Sequence, residues 1–200
     1  MSRTVALVSL GCPKNLVDSE VMLGLLEAAG YRIVEDVEEA EVVIVNTCAF
    51  IEPAVEEAVE ALLDLADLKA GGTRCLICAG CLTPRYGEEL LEQLPEVDAF
   101  IGPGSVARIA DIVERCLAGE RVYETAAAPW LYRAQTPRVR SGREWLAHVK
   151  VADGCSHRCA YCLIPSLRGP YRSREADDIR AEIAALIEED VREICLIAQD

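Results

Sequence analysis

Three short β-branched runs in the first half of the chain are each followed, within a few residues, by a cysteine, and amphipathic helical stretches separate them. Such alternation is the pattern of an open parallel α/β sheet. Thr4–Ser9 is the first expected strand, residues 41–46 the second, 74–79 the third and Ala99–Ile101 a short fourth. Between them, one helix runs from about Leu16 to a stop at Gly30. A second follows Pro53, with Val55, Val59, Leu62, Leu63 and Ala66 on its apolar face, and ends at Gly71-Gly72. A third is expected to be capped by Ser105, with Ile109, Ile112, Val113 and Leu117 inward, and to close at Gly119. In a parallel sheet the carboxyl ends of all strands share one edge, and ligands bind there. Cys12, Cys48 and Cys81 follow the first, second and third strands, so three residues far apart in sequence converge on one rim.

A second set of thiols is local: Gly154-Cys155-Ser156-His157-Arg158-Cys159-Ala160-Tyr161-Cys162. A cubic four-iron cluster has four irons, each taking a ligand. Three thiolates therefore leave one iron open to something other than protein. Flanking the triplet, residues 145–152 read as a strand and 175–190 as an amphipathic helix with Ile179, Ile183, Leu186 and Ile187 inward. Residues 192–198 read as a second strand, giving one βαβ unit. Cys75, Cys78 and Cys81 are also spaced like a ferredoxin run. A buried strand, however, turns residues three apart to opposite sides, ~10 Å from one another. Cys75 and Cys78 thus read as small core residues, as do Cys116 and Cys195. The expected organisation is a cluster-binding unit at 1–118, a linker at 119–143 containing Ala126-Ala127-Ala128-Pro129 and five arginines, and an incomplete second domain at 144–200.

Charge narrows the class of partner. The 34 acids against 20 bases give a net charge of -14, so non-specific nucleic-acid binding, which needs phosphate contacts from Lys and Arg, is not expected. Basic residues cluster around the triplet: Arg133, Arg138, Arg140, Arg143 and Lys150 before it, and Arg158, Arg168, Arg172 and Arg174 within or after it. The first four read either as a solvated linker or as part of a positive rim on an anion-binding site. The apolar run at residues 5–10 is too short for the core of a signal peptide, and no stretch reaches the ~20 apolar residues of a membrane helix. Ten cysteines in a chain without a leader point to metal or redox work in the cytoplasm rather than to a disulfide scaffold.

The triplet resembles the signature of radical S-adenosylmethionine (SAM) enzymes. Together with the strand-end segments it resembles the methylthiotransferase family within them. Gly11-Cys12-Pro13-Lys14-Asn15-Leu16-Val17-Asp18-Ser19-Glu20, Asn46-Thr47-Cys48-Ala49-Phe50-Ile51, Gly80-Cys81-Leu82-Thr83-Pro84-Arg85-Tyr86 and the segment from Ile164 to Arg174 are most similar to the RimO-like branch, which modifies a ribosomal protein. The tRNA-modifying MiaB-like branch typically carries Gln-Met where this chain has Pro13-Lys14. The resemblance implies two 4Fe-4S clusters and SAM as cofactors. Cys155, Cys159 and Cys162 would hold the cluster whose open iron binds SAM, and the adenosyl radical formed there would abstract hydrogen from an unactivated carbon. Cys12, Cys48 and Cys81 would hold the second cluster, which presents the sulfur. The implied reaction places a methylthio group on the β-carbon of an aspartate in small-subunit ribosomal protein twelve, with an electron donor such as a flavodoxin or ferredoxin. Tyr161 occupies the position of an aromatic that packs near the adenine in this superfamily.

Other residues are read as supporting. Lys14 and Asn15 beside Cys12 would shape the second site. Arg172 and Arg174 would contact an anion, or pair with the acidic helix that follows. His157 reads as a solvent-facing loop residue and His148 as a strand-face residue. A chain ending on a buried-type parallel strand leaves an unpaired apolar edge, so a fragment is expected, lacking the rest of a partial barrel and a small β-domain. The alternatives are tRNA adenosine methylthiolation, a non-catalytic iron–sulfur electron carrier and a structural zinc protein. Two thiolate sets each one ligand short argue against the electron carrier, and the spacing and scarcity of histidine against closed zinc sites.

Overall fold

The computed structural model describes residues 3–125 and 130–200; Ala126, Ala127, Ala128 and Pro129 of the expected linker lie outside them. The first half runs β1 (Thr4–Ser9), α1 (Pro13–Ala28), β2 (Arg32–Ile33), β3 (Val42–Thr47), α2 (Glu52–Ala66), β4 (Cys75–Gly80), α3 (Leu82–Tyr86), α4 (Glu89–Gln93), β5 (Ala99–Ile101), α5 (Ile109–Leu117) and β6 (Val122–Glu124). The second half comprises β7 (Leu146–Lys150), β8 (Ala152–Asp153), α6 (Ile164–Arg168), β9 (Arg172–Ser173), α7 (Ala176–Glu188) and β10 (Glu193–Ile197).

Six parallel strands form one sheet in the order β2-β1-β3-β4-β5-β6. Its central strands are apolar on both sides, as they must be when helices cover both faces. On one face, Val17, Val21, Met22 and Leu26 of α1 and Ile109, Ile112 and Val113 of α5 pack on Val5, Ile44, Ile77 and Ile101. On the other, Val55, Ala58 and Leu62 of α2, with Leu82 and Leu90, pack on Val43, Val45, Leu76 and Phe100. Cys75 belongs to the first cluster and Cys78 to the second, both fully buried. Two residues on opposite faces of one strand cannot share a compact cluster, and the ferredoxin-like spacing ending at Cys81 is fortuitous.

Several local expectations need correction. Leu63 points to solvent, and Ala58 takes the buried position in α2, because the sheet contacts a narrower stripe than the sequence offers. Ser105 does not cap α5. It lies in a 3-10 turn (Pro103–Arg108), and its hydroxyl donates to the Glu124 carbonyl at 3.3 Å, tying the turn to β6. That strand falls inside the stretch expected as a linker, yet it extends the sheet, with Val122 buried against β5. Arg121 beside it donates to the carbonyls of Leu91 and Leu94.

In the second half, β7 and β10 pair in parallel and α7 covers them, with Leu186 buried and Ile179 and Ile183 partly so. Ile187 is 60% exposed: a two-stranded sheet accepts only the stripe formed by the other three. Cys195, opposite His148, is half-buried rather than a core residue. The single strand expected over 145–152 breaks at Val151. Its N–H still donates to Ile197, but its carbonyl accepts from Arg174, and β8 turns away to pair antiparallel with β9.

The two halves are locked by buried charge. Arg138 donates from Nε (2.8 Å) and Nη2 (2.5 Å) to Glu20 on α1, and from Nη1 (2.9 Å) to Glu182 on α7. Arg174 pairs with Asp178 and Glu182 and lies over the Tyr132 ring, 4.3 Å from its centroid. Of the two roles open to Arg174, pairing with the acidic helix is the one observed. Arg138 is no solvated linker residue: its guanidinium is the hinge pin between α1 and α7. Gly24 on α1 makes room for the same segment, since a Cβ there would stand 2.5 Å from the Pro137 carbonyl oxygen.

Candidate metal centre

The strand order reverses direction between β1 and β3: the chain passes from β1 outward to β2 and then crosses to β3 on the other side. Crevices at such switch points, outside the carboxyl ends of the strands, are where open α/β sheets bind ligands. Cys12 follows β1 as the residue preceding α1, Cys48 directly follows β3, and Cys81 directly follows the neighbouring β4. Gly11, at φ +104°, lets the β1 loop pass Cys48; a Cβ on it would stand 2.5 Å from the Cys48 Cβ.

Short side chains knit these loops together. Asn15 Nδ2 donates to the Thr47 carbonyl (2.7 Å), and Asn46 Nδ2 to the Asn15 carbonyl (2.8 Å) and Ser19 Oγ (2.9 Å). Thr47 Oγ1 donates to the Ala79 carbonyl (2.7 Å) and accepts from the Leu82 N–H (3.3 Å). The Cys12 thiol donates to Asn15 Oδ1 at 3.4 Å. Each cysteine-bearing loop is thereby tied to its neighbour through buried amides and hydroxyls.

Cys12, Cys48 and Cys81 line one cavity of about 560 Å³. Its walls are Phe50, Ile51 and Ala54 on one side and Ile164, Leu167, Ile197 and Ala198 of the second half on the other, with Lys14, Asn15 and Arg168 beside the thiols. Burial pushes the Cys81 thiol up to about 11; Arg168 opposes that shift, while Cys48 and Cys12 add to it.

A charge cluster that sequence reading did not find lies beneath this cavity. Arg168 Nη1 pairs with Asp18 (3.1 Å) and Asp153 (3.3 Å), and Nη2 donates to Asn15 Oδ1 (2.8 Å). Lys150 pairs with Asp153 (3.0 Å) and with Asp18. Lys14 Nζ donates to the Ala152 carbonyl at 2.6 Å. All five charged side chains are buried. Burial alone would raise the Asp153 carboxyl, but Lys150, Arg168 and Lys14 outweigh it and hold the group well below the usual carboxylate range. Burial lowers the Lys14 ammonium to about 8, with Lys150 and Arg168 adding to the fall against Asp153. Asp18, five residues into a helix that opens Pro-Lys-Asn, was the available signal: a carboxylate on the buried face of a helix needs a partner.

The triplet occupies the loop between β8 and α6. Cys155 is buried, and its N–H donates to the Gly169 carbonyl at 3.1 Å. Gly154 N–H donates to Asp153 Oδ1 (2.9 Å) and Gln199 Oε1 (3.0 Å). Cys159 is exposed and Cys162 half-buried, with the Cys162 N–H donating to the Cys159 carbonyl at 3.0 Å. His157 is solvent-facing, 3.3 Å from Asp200. Tyr161 is 84% exposed. None of the triplet lines the strand-end cavity, but α6, which begins two residues after Cys162, does.

Among the described residues, no group of three or more His, Cys, Asp or Glu side chains stands close enough to hold a single metal ion. A cluster differs in its demand, because each thiolate binds a separate iron and the donors stand further apart than around one ion. Three thiols with no fourth, on an apolar cavity backed by buried cations, form a donor set suited to an anionic cluster with one iron left open.

Residues 4–102 match the uncharacterized protein family UPF0004, and residues 149–200 match the radical SAM superfamily. The chain is 52% identical, over 98% of its length, to a ribosomal protein uS12 methylthiotransferase RimO from Desulforudis audaxviator, and 51% identical over 98% to the protein of that name from Trichlorobacter lovleyi. A third relative of the same name, from Pelotomaculum thermopropionicum, is 46% identical over the whole chain. Over nearly its whole length the chain is similar to RimO-like methylthiotransferases. It spans about 44% of the length of these relatives. The UPF0004 match spans β1 to β5 of the parallel sheet, and the radical SAM match spans β8 to β10 with the triplet. No described helix is long and apolar enough to cross a membrane.

Proposed function

We propose that this chain contributes to radical SAM methylthio transfer with two 4Fe-4S clusters, one held by Cys155, Cys159 and Cys162 and the other by Cys12, Cys48 and Cys81. Clusters bound at these sets would supply, respectively, the electron that opens the SAM sulfonium and the sulfur that is transferred. The observation that carries the reading is that the three strand-end cysteines line one cavity and α6, which begins two residues after the triplet, forms a wall of it. The proposed substrate, by the name its relatives carry, is ribosomal protein uS12; the resemblance described above implies an aspartate β-carbon as the position modified. A flavodoxin or ferredoxin in the cytoplasm is the proposed electron donor. Tyr161, exposed beside Cys162, is proposed to close over the SAM adenine.

The protein's own contribution is positional. Asn15, Asn46 and Thr47 hold the three strand-end loops in register, and apolar walls flank the cavity that the cysteines line. Anaerobic reconstitution with iron and sulfide is the test. About eight irons per chain, with an electron paramagnetic resonance spectrum altered by SAM, supports two clusters with an open iron. About four irons would remove the second cluster, and zinc without iron would sink the reading.

A further inference from the structure

Arg168 follows the triplet in sequence and lies beside the strand-end cysteines in space. It lies on α6, six residues after Cys162, only 5% exposed, and lines the cavity beside Cys12, Cys48 and Cys81. The Asn15 Oδ1 that accepts from its Nη2 at 2.8 Å also accepts from the Cys12 thiol at 3.4 Å, so the guanidinium and that sulfur share one acceptor.

The local charge does not balance. Lys14, Lys150 and Arg168 are three buried cations, and the carboxylates between them are Asp18 and Asp153. Lys14 donates its hydrogen bond to a neutral carbonyl, that of Ala152. Unmatched positive charge is costly to bury. The thiol-lined cavity adjoining Lys14 and Arg168 is where a matching anion would remove that cost.

We propose that Arg168, backed by Lys14, is a positioning residue that presents surplus positive charge to an anionic cluster among Cys12, Cys48 and Cys81 and so raises that cluster's reduction potential. The inference rests on the reading above that these three cysteines hold a cluster. A nearby positive charge stabilises the reduced, more negative form. The interaction acts through a buried, weakly screened medium.

The test uses the full chain carrying Cys155→Ala, Cys159→Ala and Cys162→Ala, so that only the strand-end set binds iron. After reconstitution, the potential is read by a redox titration with dithionite followed by electron paramagnetic resonance. Arg168→Gln is expected to retain iron and to lower the reduced-to-oxidised ratio at a fixed ambient potential about tenfold, a one-electron shift of about 59 mV. Asp18→Asn, which removes a negative charge from the same cluster of groups, is expected to shift the potential the opposite way. Arg138→Gln breaks a partly buried pair away from the cavity and is expected to leave the potential unchanged. Unchanged potentials in Arg168→Gln and Asp18→Asn overturn the inference. If Arg168→Gln fails to fold, Asp18→Asn against its parent decides alone. Absence of iron in the parent overturns the cluster reading and the inference with it, whereas iron with an unmoved potential overturns the inference only.

Discussion

Arg138 grips Glu20 with two hydrogen bonds, at 2.8 and 2.5 Å, although 118 residues separate them in the chain. The same guanidinium reaches Glu182, and Glu20 accepts in addition from the Ser141 N–H and hydroxyl. Replacing it by methionine leaves the buried Glu20 without a cation, while Glu182 keeps Arg174. Arg138→Met is expected to destabilise the protein by about 3–5 kcal/mol, read as a lower urea midpoint. A loss under about 1 kcal/mol would mean that the pair is solvated and the halves are joined by other contacts.

Gly24 reverses an ordinary rule. Alanine in place of glycine inside a helix usually stabilises by about 1 kcal/mol. Here the added Cβ would collide with the Pro137–Arg138 backbone. Gly24→Ala is expected to cost about 1–3 kcal/mol through overpacking, measured by thermal unfolding. A gain in Tm would show that residues 137–138 do not rest on α1.

Leu186 and Ile187 are neighbours with opposite fates, one buried and one exposed. Leu186→Ala is expected to cost about 2–5 kcal/mol, and Ile187→Ala less than about 0.5 kcal/mol. Equal losses in chemical denaturation would place both in a core.

The cysteines divide by position. Cys48→Ala is expected to remove about half of the iron bound after reconstitution, and Cys159→Ala the other half together with the spectral response to SAM. Cys75→Ala and Cys78→Ala are expected to leave iron content unchanged, since these residues lie on opposite sheet faces within the core. Iron loss in Cys78→Ala would revive the ferredoxin-like arrangement.

The parts of the fold that depend on local periodicity were legible in advance. The strands of the sheet centre are buried on both sides and so read as continuous apolar runs, and Cys12, Cys48 and Cys81 could be placed on one rim from strand ends alone. What escaped reading was whatever depends on partners remote in sequence. Arg32–Ile33 and Val122–Glu124 are too short to announce themselves and are strands only because a neighbour offers its edge. Arg138 has the sequence surroundings of a loop residue, and nothing near it names Glu20. Ile187 and Leu63 extend helical stripes that the sheets beneath them do not reach. The charge cluster around Arg168 draws on α1, β7, β8 and α6 at once, and no window of sequence contains it.

Gly24, with its flat patch for Pro137, has a consequence for anyone recombining this chain with a relative. A chimera joined between α1 and Pro137 inherits its two contact surfaces from different parents. Positions 18, 20 and 24 on one side must then match 137, 138, 150, 153, 168 and 182 on the other. A donor with alanine at 24, or with a neutral residue at 18 or 20, would fold each piece correctly and still fail at the seam. Such grafts succeed when these nine positions travel as one allele.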